Sequence, residues 1–186
     1  AEIAALLPNY YWVYGPAFDM DASTRAADGT VINRRRQFGN MVLARWPVEW
    51  SRLYILPKLA TAERFNMDVP AIEAVINAPN GSLRVLSIHL SAISSSERQM
   101  QIDYLLELHG LAADTGGPWC GEPMIRGDRS WAAGGDAPAM PPEAIWMGDF
   151  NFQPDSAEYH AIVDPENPLY DTTPDANQLV DCWTAA

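Results

Sequence analysis

Short runs of apolar residues in the first half of the chain predict a series of β-strands. The runs cover residues 10–14, 41–45, 52–56, 71–77 and 83–90, and turn residues or prolines close most of them. The last two are joined by Ala78-Pro79-Asn80-Gly81, in which Asn-Gly is a strong hairpin signal. Residues 83–90 are apolar on both faces, so we expect that strand to be covered on each side of an antiparallel or mixed sheet.

A helical period replaces the strand pattern after residue 90. Ser94 and Glu97 have capping-box spacing, and the apolar residues that follow recur at helical intervals as Met100, Tyr104, Leu105, Leu108 and Leu111. A second capped helix is predicted from about residue 154 to 163, and a short helical segment precedes Pro8. The sequence therefore predicts one long helix and two short ones around the strands.

The stretch from Ala144 to Asn151 combines an apolar run with polar groups. Residues 144–147 predict a buried strand, and Gly148 allows the backbone to bend before Asp149 and Asn151. On an extended chain these two residues share a face, where a carboxylate and an amide can take a proton from water, hold a metal-bound oxygen or orient a phosphate. The alternative is a simple turn, because Gly, Asp and Asn are all common turn residues.

The amino-acid composition limits the class of protein to which this candidate site can belong. The 186 residues are 48% hydrophobic and 19% charged, which indicates a globular chain with enough apolar surface for one core. No run approaches the roughly 18 apolar residues of a membrane span, and no leader pattern opens the chain, so we expect a soluble, cytoplasmic protein. Cys120 and Cys182 lack metal-site or CxxC spacing and are expected to be reduced thiols.

The net charge of -12 is unevenly distributed. After Met100 the chain has two basic residues, Arg126 and Arg129, and 15 acidic residues. This excess of negative charge disfavours binding to long nucleic acids and favours a small phosphoester as the substrate. The one basic cluster is Arg34-Arg35-Arg36, with Arg25 and Arg45 nearby. It either faces a phosphate or forms a solvated strand or loop.

Two segments without periodicity are predicted to be loops. The first follows the strand at residues 10–14 and contains Asp19, Asp21 and Asp28, which lack the later Gly and Glu of an EF-hand. The second, at residues 114–142, is long enough to be an excursion beside a site. Its large and basic side chains could grip a substrate; they are Trp119, Arg126, Arg129 and Trp131.

Three motifs together resemble the endonuclease/exonuclease/phosphatase family in order and spacing. They are Phe38 to Arg45 (FGNMVLAR), Ser87 to Leu90 (SIHL) with Glu97 to Gln101 (ERQMQ), and Met147 to Ser156 (MGDFNFQPDS) with Glu158-Tyr159. The resemblance runs from about residue 31 to 183. It implies an α/β (α+β) fold of two mixed β-sheets packed as a sandwich with flanking helices, and hydrolysis of phosphoesters with Mg²⁺ or Mn²⁺.

The resemblance also implies roles for individual residues. Asp149 would orient or deprotonate the attacking water, Asn151 would hold the scissile phosphate or that water, and His89 would donate to a phosphate oxygen. Asn40 and Arg45 would lie beside the site, supporting it or contacting the substrate. The other histidines and loop aspartates match no catalytic motif: His109 and His160 are expected at helix surfaces or ends, Asp171 and Asp175 in loops, and Asp181 as a structural aspartate.

Two departures from the family pattern limit these expectations. The family's main metal ligand, a glutamate on an early strand, and its final Asp-His pair have no counterpart in the sequence. We therefore expect residues 1–186 to be a single domain that lacks the first and last strands, with metal ligands unknown apart from Asp149 as a candidate. The preferred function is a phosphodiesterase or phosphatase; the alternatives are a nuclease of the same family and a non-catalytic binding domain.

Overall fold

Four strands form the central sheet of the protein. The computed structural model describes residues 2–121, 136–163 and 179–185. The sheet contains β5 (Val48–Ile55), β6 (Pro70–Ala78), β7 (Gly81–His89) and β8 (Ala144–Asp149), in that order. Three of the strands are antiparallel, and the predicted hairpin is confirmed where Ala78 pairs with Gly81. β8 runs parallel to β7, so both strands end at the same edge.

A long two-stranded sheet packs on one face of the central sheet. It consists of β1 (Tyr11–Asp21) and β4 (Arg35–Ala44), which are antiparallel, and β2 (Thr24–Arg25) pairs with β3 (Val31–Ile32) at its tip. The prediction of a loop at Asp19 and Asp21 is wrong, because pairing with β4 continues as far as Asp21 opposite Arg35. Asp28 does lie in the turn between β2 and β3.

Helices cover the opposite face: α2 (Ser95–Gly110), α3 (Ala112–Thr115) and α4 (Ala157–Val163). A short helix, α1 (Glu2–Leu6), precedes β1. The predicted N-cap of α2 is confirmed, since the Ser94 side chain accepts a hydrogen bond from the Glu97 amide. Glu97 itself does not complete the capping box but turns toward a neighbouring loop.

Two apolar clusters place the core on both sides of the central sheet, as the pattern of residues 83–90 predicted. On the helical side, residues of β6 and β7 pack against Ile102 and Leu105 of α2. On the other side, Ile72, Ala74 and Val85 pack against β4. The architecture is thus an α+β sandwich with flanking helices, in which the four-stranded sheet is mixed and the β1–β4 sheet is antiparallel.

His109 is a correction to the sequence analysis, which expected it at a helix surface or end. It is buried, with 4% of its surface exposed, at the inner face of α2. Arg84 Nη1 donates to His109 Nδ1 at 3.2 Å, and the Trp146 ring meets the imidazole edge-on. The buried Arg84 also donates to Glu73 Oε1 at 2.7 Å, so this histidine belongs to a polar network in the core.

β8 is a strand, as predicted, but it is not buried. Ala144 and Trp146 face the helices and are half-buried, whereas Ile145 and Met147 are each 45% exposed on the opposite face. The reason is that the β1–β4 sheet lies over β5, β6 and β7 and does not extend over β8.

Cys120 and Cys182 are free and exposed. Within the described ranges, no helix is long and apolar enough to cross a membrane.

Replacing Gly148 with alanine is expected to destabilise the fold strongly. Gly148 has φ 140°, and a Cβ there would collide with the carbonyl oxygen of Ile88 on β7. We expect Gly148→Ala to lower the free energy of unfolding by roughly 3 kcal/mol, measured by urea denaturation.

Gly110→Ala provides the matched control. That glycine lies in α2 with nothing near its would-be Cβ, so the same substitution there is expected to be neutral or slightly stabilising. Equal effects at the two positions would contradict the proposed close contact between β7 and β8.

Candidate active site

The carboxyl ends of β7 and β8 bring two of the predicted site residues together. His89 and Asp149 pair directly in the parallel register, and Leu90 N donates to Asp149 O at 2.9 Å to continue the ladder. Side chains at paired positions point to the same face of a sheet. His89 and Asp149 therefore lie side by side, at the edge where both strands stop.

Asn151 joins this pair through a turn. It has φ 53°, in the left-handed region, so it does not continue the strand as the sequence analysis expected. Its backbone N–H donates to Asp149 Oδ1 at 3.0 Å, and its Nδ2 donates to Leu90 O at 2.9 Å. The turn fixes the Asp149 carboxylate and ties the two strand ends to each other.

Phe38 is a site residue that the sequence analysis did not single out. Its ring meets the His89 imidazole edge-on, with centroids 5.4 Å apart. The His89 side chain forms no hydrogen bond with the described residues, so this ring contact is what orients it. The signal that could have identified Phe38 is its position two residues before Asn40, on the same face of β4.

Asn40 supports the site from between the sheets. Its Nδ2 donates to Ser87 O at 2.8 Å and to Pro70 O at 3.3 Å. These carbonyls belong to β7 and to the start of β6, both at the edge where His89 lies. Asn40 therefore holds β4 against the central sheet just below the candidate site.

Arg45 is not brought to the site. β4 runs away from His89, so Arg45 follows its far end, on the order of 20 Å from Phe38 at the usual rise of a strand. There its Nε donates to Tyr10 Oη at 3.3 Å, and this hydrogen bond raises the pKa of the guanidinium. This placement gives no support for a contact between Arg45 and a substrate held at His89.

The first turns of α2 hold the loops that surround the site. Glu97 is buried, and its carboxylate accepts hydrogen bonds from Leu59 N at 2.9 Å and from Asn66 Nδ2 at 2.8 Å. Gln101 is also buried; its Oε1 accepts from Ser91 N and its Nε2 donates to Pro57 O, both at 2.8 Å. Both residues fix the β5–β6 loop, and Gln101 also fixes the chain after His89.

Arg98 connects the same helix to α4. It donates to Glu158 Oε1 from Nε at 3.0 Å and from Nη2 at 2.7 Å, and it also donates to Ser91 O. Burial alone would raise the pKa of Glu158, but hydrogen bonds, including those from Ser95 and Arg98, leave it below the ordinary value. This ion pair fixes α4, which follows Asn151 in sequence, against the start of α2.

Only some of the other residues named from the sequence lie in the described ranges. Arg126, Arg129, Trp131, Asp171 and Asp175 fall outside the described residues. Trp119 is half-buried, and His160 is exposed on α4. Asp181 accepts a hydrogen bond from the Tyr159 hydroxyl at 2.9 Å, a contact that suits a structural role.

A divalent cation would find oxygen ligands at this edge. The Asp149 carboxylate is exposed, and Asn151, whose backbone N–H donates to that carboxylate, also carries a side-chain oxygen. Mg²⁺ is commonly bound through one or two such groups together with water and substrate phosphate. The residues therefore fit part of a magnesium or manganese site, although the described residues contain no group of three or more acidic, histidine or cysteine side chains.

Removing Arg98 is expected to destabilise the protein in a pH-dependent way. Arg98→Leu would leave the Glu158 carboxylate, which is 5% exposed, buried without its partner, so we expect a loss of about 3 kcal/mol at pH 7 by urea unfolding. Because the folded protein lowers the pKa of Glu158, the contribution is present above the ordinary glutamate pKa of about 4.3 and is lost as the pH falls below it.

The gap between wild type and Arg98→Leu should therefore shrink toward pH 3. Adding Glu158→Gln to Arg98→Leu should recover part of the loss at pH 7, because no buried charge then remains. A loss that is the same at both pH values would contradict the ion-pair interpretation.

Comparison with known proteins agrees with the three sequence motifs. The model of the Endonuclease/Exonuclease/phosphatase family matches residues 1–184, nearly the whole chain. Comparisons with curated proteins and with solved structures gave no match. The family consists of metal-dependent phosphoester hydrolases, and the strand-end arrangement of His89, Asp149 and Asn151 lies within the matched region. This chain belongs to the endonuclease/exonuclease/phosphatase family.

Proposed function

We propose that the protein hydrolyses a small phosphodiester or phosphomonoester by in-line attack of water on phosphorus. The observation that carries the proposal is the parallel register that sets His89 beside Asp149 where β7 and β8 end. At one exposed edge, a general base can act on the attacking water while a hydrogen-bond donor stabilises an oxygen of the phosphate that is attacked.

Asp149 is the proposed base. Its Oδ1 accepts the Asn151 amide, whereas Oδ2 receives no hydrogen bond from the residues that the structure describes. The carboxylate is exposed and is held in one orientation by the turn, so Oδ2 is available to accept a proton from water. The ordered turn thus prepares the base before a substrate arrives.

His89 is the proposed donor to a phosphate oxygen. It is half-exposed, and Phe38 fixes its ring while leaving both ring nitrogens without a hydrogen bond to a described residue. A ring N–H placed there stabilises the negative charge that builds on the phosphate oxygens during attack. The aromatic contact supplies orientation without competing for the donor.

Asn151 positions the other partners. One N–H of its side-chain amide is used on Leu90 O, and the second N–H and Oδ1 remain for the water or the phosphate. A bound Mg²⁺ or Mn²⁺ supplies the positive charge that these neutral and acidic side chains lack. Asp149 and Asn151 are the residues proposed to hold it.

Nucleic acid cleavage is the related alternative. The basic cluster at residues 34–36 lies at the start of β4, on the same side of the molecule as His89, which favours a phosphate chain there. The overall charge of -12 opposes tight binding of a long polyanion, and a small ester is therefore preferred. An oligonucleotide in the substrate panel separates the two.

Asp149→Asn is expected to lower kcat by about 1,000-fold while leaving the fold intact, because it removes the base and keeps the side-chain shape. His89→Ala should have a milder effect, roughly 10- to 100-fold, because it removes one stabilising donor. Hydrolysis of a panel of phosphomonoesters, phosphodiesters and an oligonucleotide, with Mg²⁺ added or chelated, measures both.

Asp114→Asn is the matched control, since Asp114 is an exposed aspartate on α3 and should be dispensable. Thermal unfolding of each variant checks that folding is retained. Activity that persists in chelator, or an Asp149→Asn enzyme as fast as wild type, would refute the mechanism. A folded protein that is inactive on the whole panel would instead support a non-catalytic binding domain.

A further inference from the structure

The alternation of β4 places one arginine on the same face as the candidate site. Phe38 packs on His89, Asn40 donates to Ser87 O, and Val42 and Ala44 lie in the core against the central sheet. Even-numbered residues of β4 therefore face the β5–β8 sheet. Arg36 is the next even position, two residues before Phe38, and lies on that face beyond the covered part of the sheet.

Arg36 is within reach of a substrate at His89. Residues two apart on a strand are about 7 Å apart, and the Phe38 ring centroid is 5.4 Å from that of His89. An extended arginine side chain can span much of that interval toward the strand ends. Arg36 is exposed, so its guanidinium can meet a ligand without displacing protein groups.

Two nearby arginines, Arg35 and Arg25, already have side-chain partners, whereas Arg36 and Arg34 have none among the described residues. Arg35 points to the other face of β4 and donates to Asp19 Oδ1 at 2.8 Å and to Asp19 O at 3.2 Å. Arg25 donates to Gly29 O at 3.1 Å. The Arg36 side chain has no hydrogen bond or ion pair with any residue of the described ranges.

We propose that Arg36 binds a second anionic group of the substrate, a phosphate or phosphonate several ångströms from the scissile phosphate. This inference rests on the proposed function and narrows its substrate class to small esters with two anionic groups. A guanidinium binds a phosphate through two parallel hydrogen bonds, which makes it selective for such a group. In a chain of charge -12, the short basic segment from Arg34 to Arg36 suits one additional anion better than a polyanion.

The test uses two ligands that cannot be hydrolysed, butylphosphonate and butane-1,4-bisphosphonate, titrated calorimetrically into the protein with Mg²⁺. We expect the bisphosphonate to bind the wild-type protein about tenfold more tightly than butylphosphonate does. About twofold of this difference is statistical, because either end of the bisphosphonate can bind at the candidate site. Arg36→Gln should reduce that advantage to about twofold. Arg45→Gln removes the same charge at the far end of β4 and should retain it.

Each outcome decides the assignment. Equal affinities for the two ligands in wild type, or an advantage that persists in Arg36→Gln, would overturn it. An oligonucleotide whose affinity rises with length and depends on Arg36 would overturn the restriction to small substrates. Hydrolysis of butyl phosphate with Mg²⁺ tests the proposed function separately: if the enzyme is active but shows no Arg36-dependent preference, only the second anion site is wrong.

Discussion

The close parallel pairing of β7 with β8 is the constraint on which the site depends. At Gly148 the backbone of β8 comes so near the Ile88 carbonyl that no side chain fits between them, and the positive φ of the glycine is one that L-residues rarely adopt. The next residue on each strand is a member of the site, His89 on β7 and Asp149 on β8. A change in register or separation at Gly148 would therefore move the two functional groups apart directly.

Buried polar side chains hold the loops around this pair of strands in place. Burying a carboxylate or a guanidinium is costly unless hydrogen bonds replace its hydration, and Glu97, Arg98 and Gln101 are each provided with such bonds. Their partners lie in different chain segments, so the start of α2 fixes several loops relative to one sheet edge. This explains why polar residues occupy positions on the inner face of α2 that would otherwise be apolar.

Charge is also organised around this edge. In a protein of charge -12, Arg84 and Arg98 are used internally against Glu73 and Glu158, and Arg35 is paired with Asp19. The charges of these three arginines are therefore balanced by carboxylates of the protein itself. Among the described residues, Arg34 and Arg36 at the start of β4 have no such partner, and a phosphoester at His89 would meet positive charge there without the broad basic surface that long nucleic acids require.

Elements whose signals are local could be predicted from the sequence alone. The strand pattern, the Asn80-Gly81 hairpin, the Ser94 cap and the three motifs depend on neighbouring residues, and each has its expected place in the structure or the family. The roles assigned to His89, Asp149 and Asn151 remain predictions, but their meeting at one edge follows from the strand order.

Features that depend on partners distant in sequence could be seen only in the folded protein. The burial of His109 results from Arg84 and Trp146, the continuation of β1 through Asp21 results from its pairing with β4, and the exposure of Ile145 results from the limited width of the second sheet. The position of Arg45 also depends on how segments pack, because β4 runs away from His89 and Arg45 follows its far end. Hydrophobic pattern and propensity report the conformation of a segment, whereas burial and proximity are fixed only when segments pack against each other.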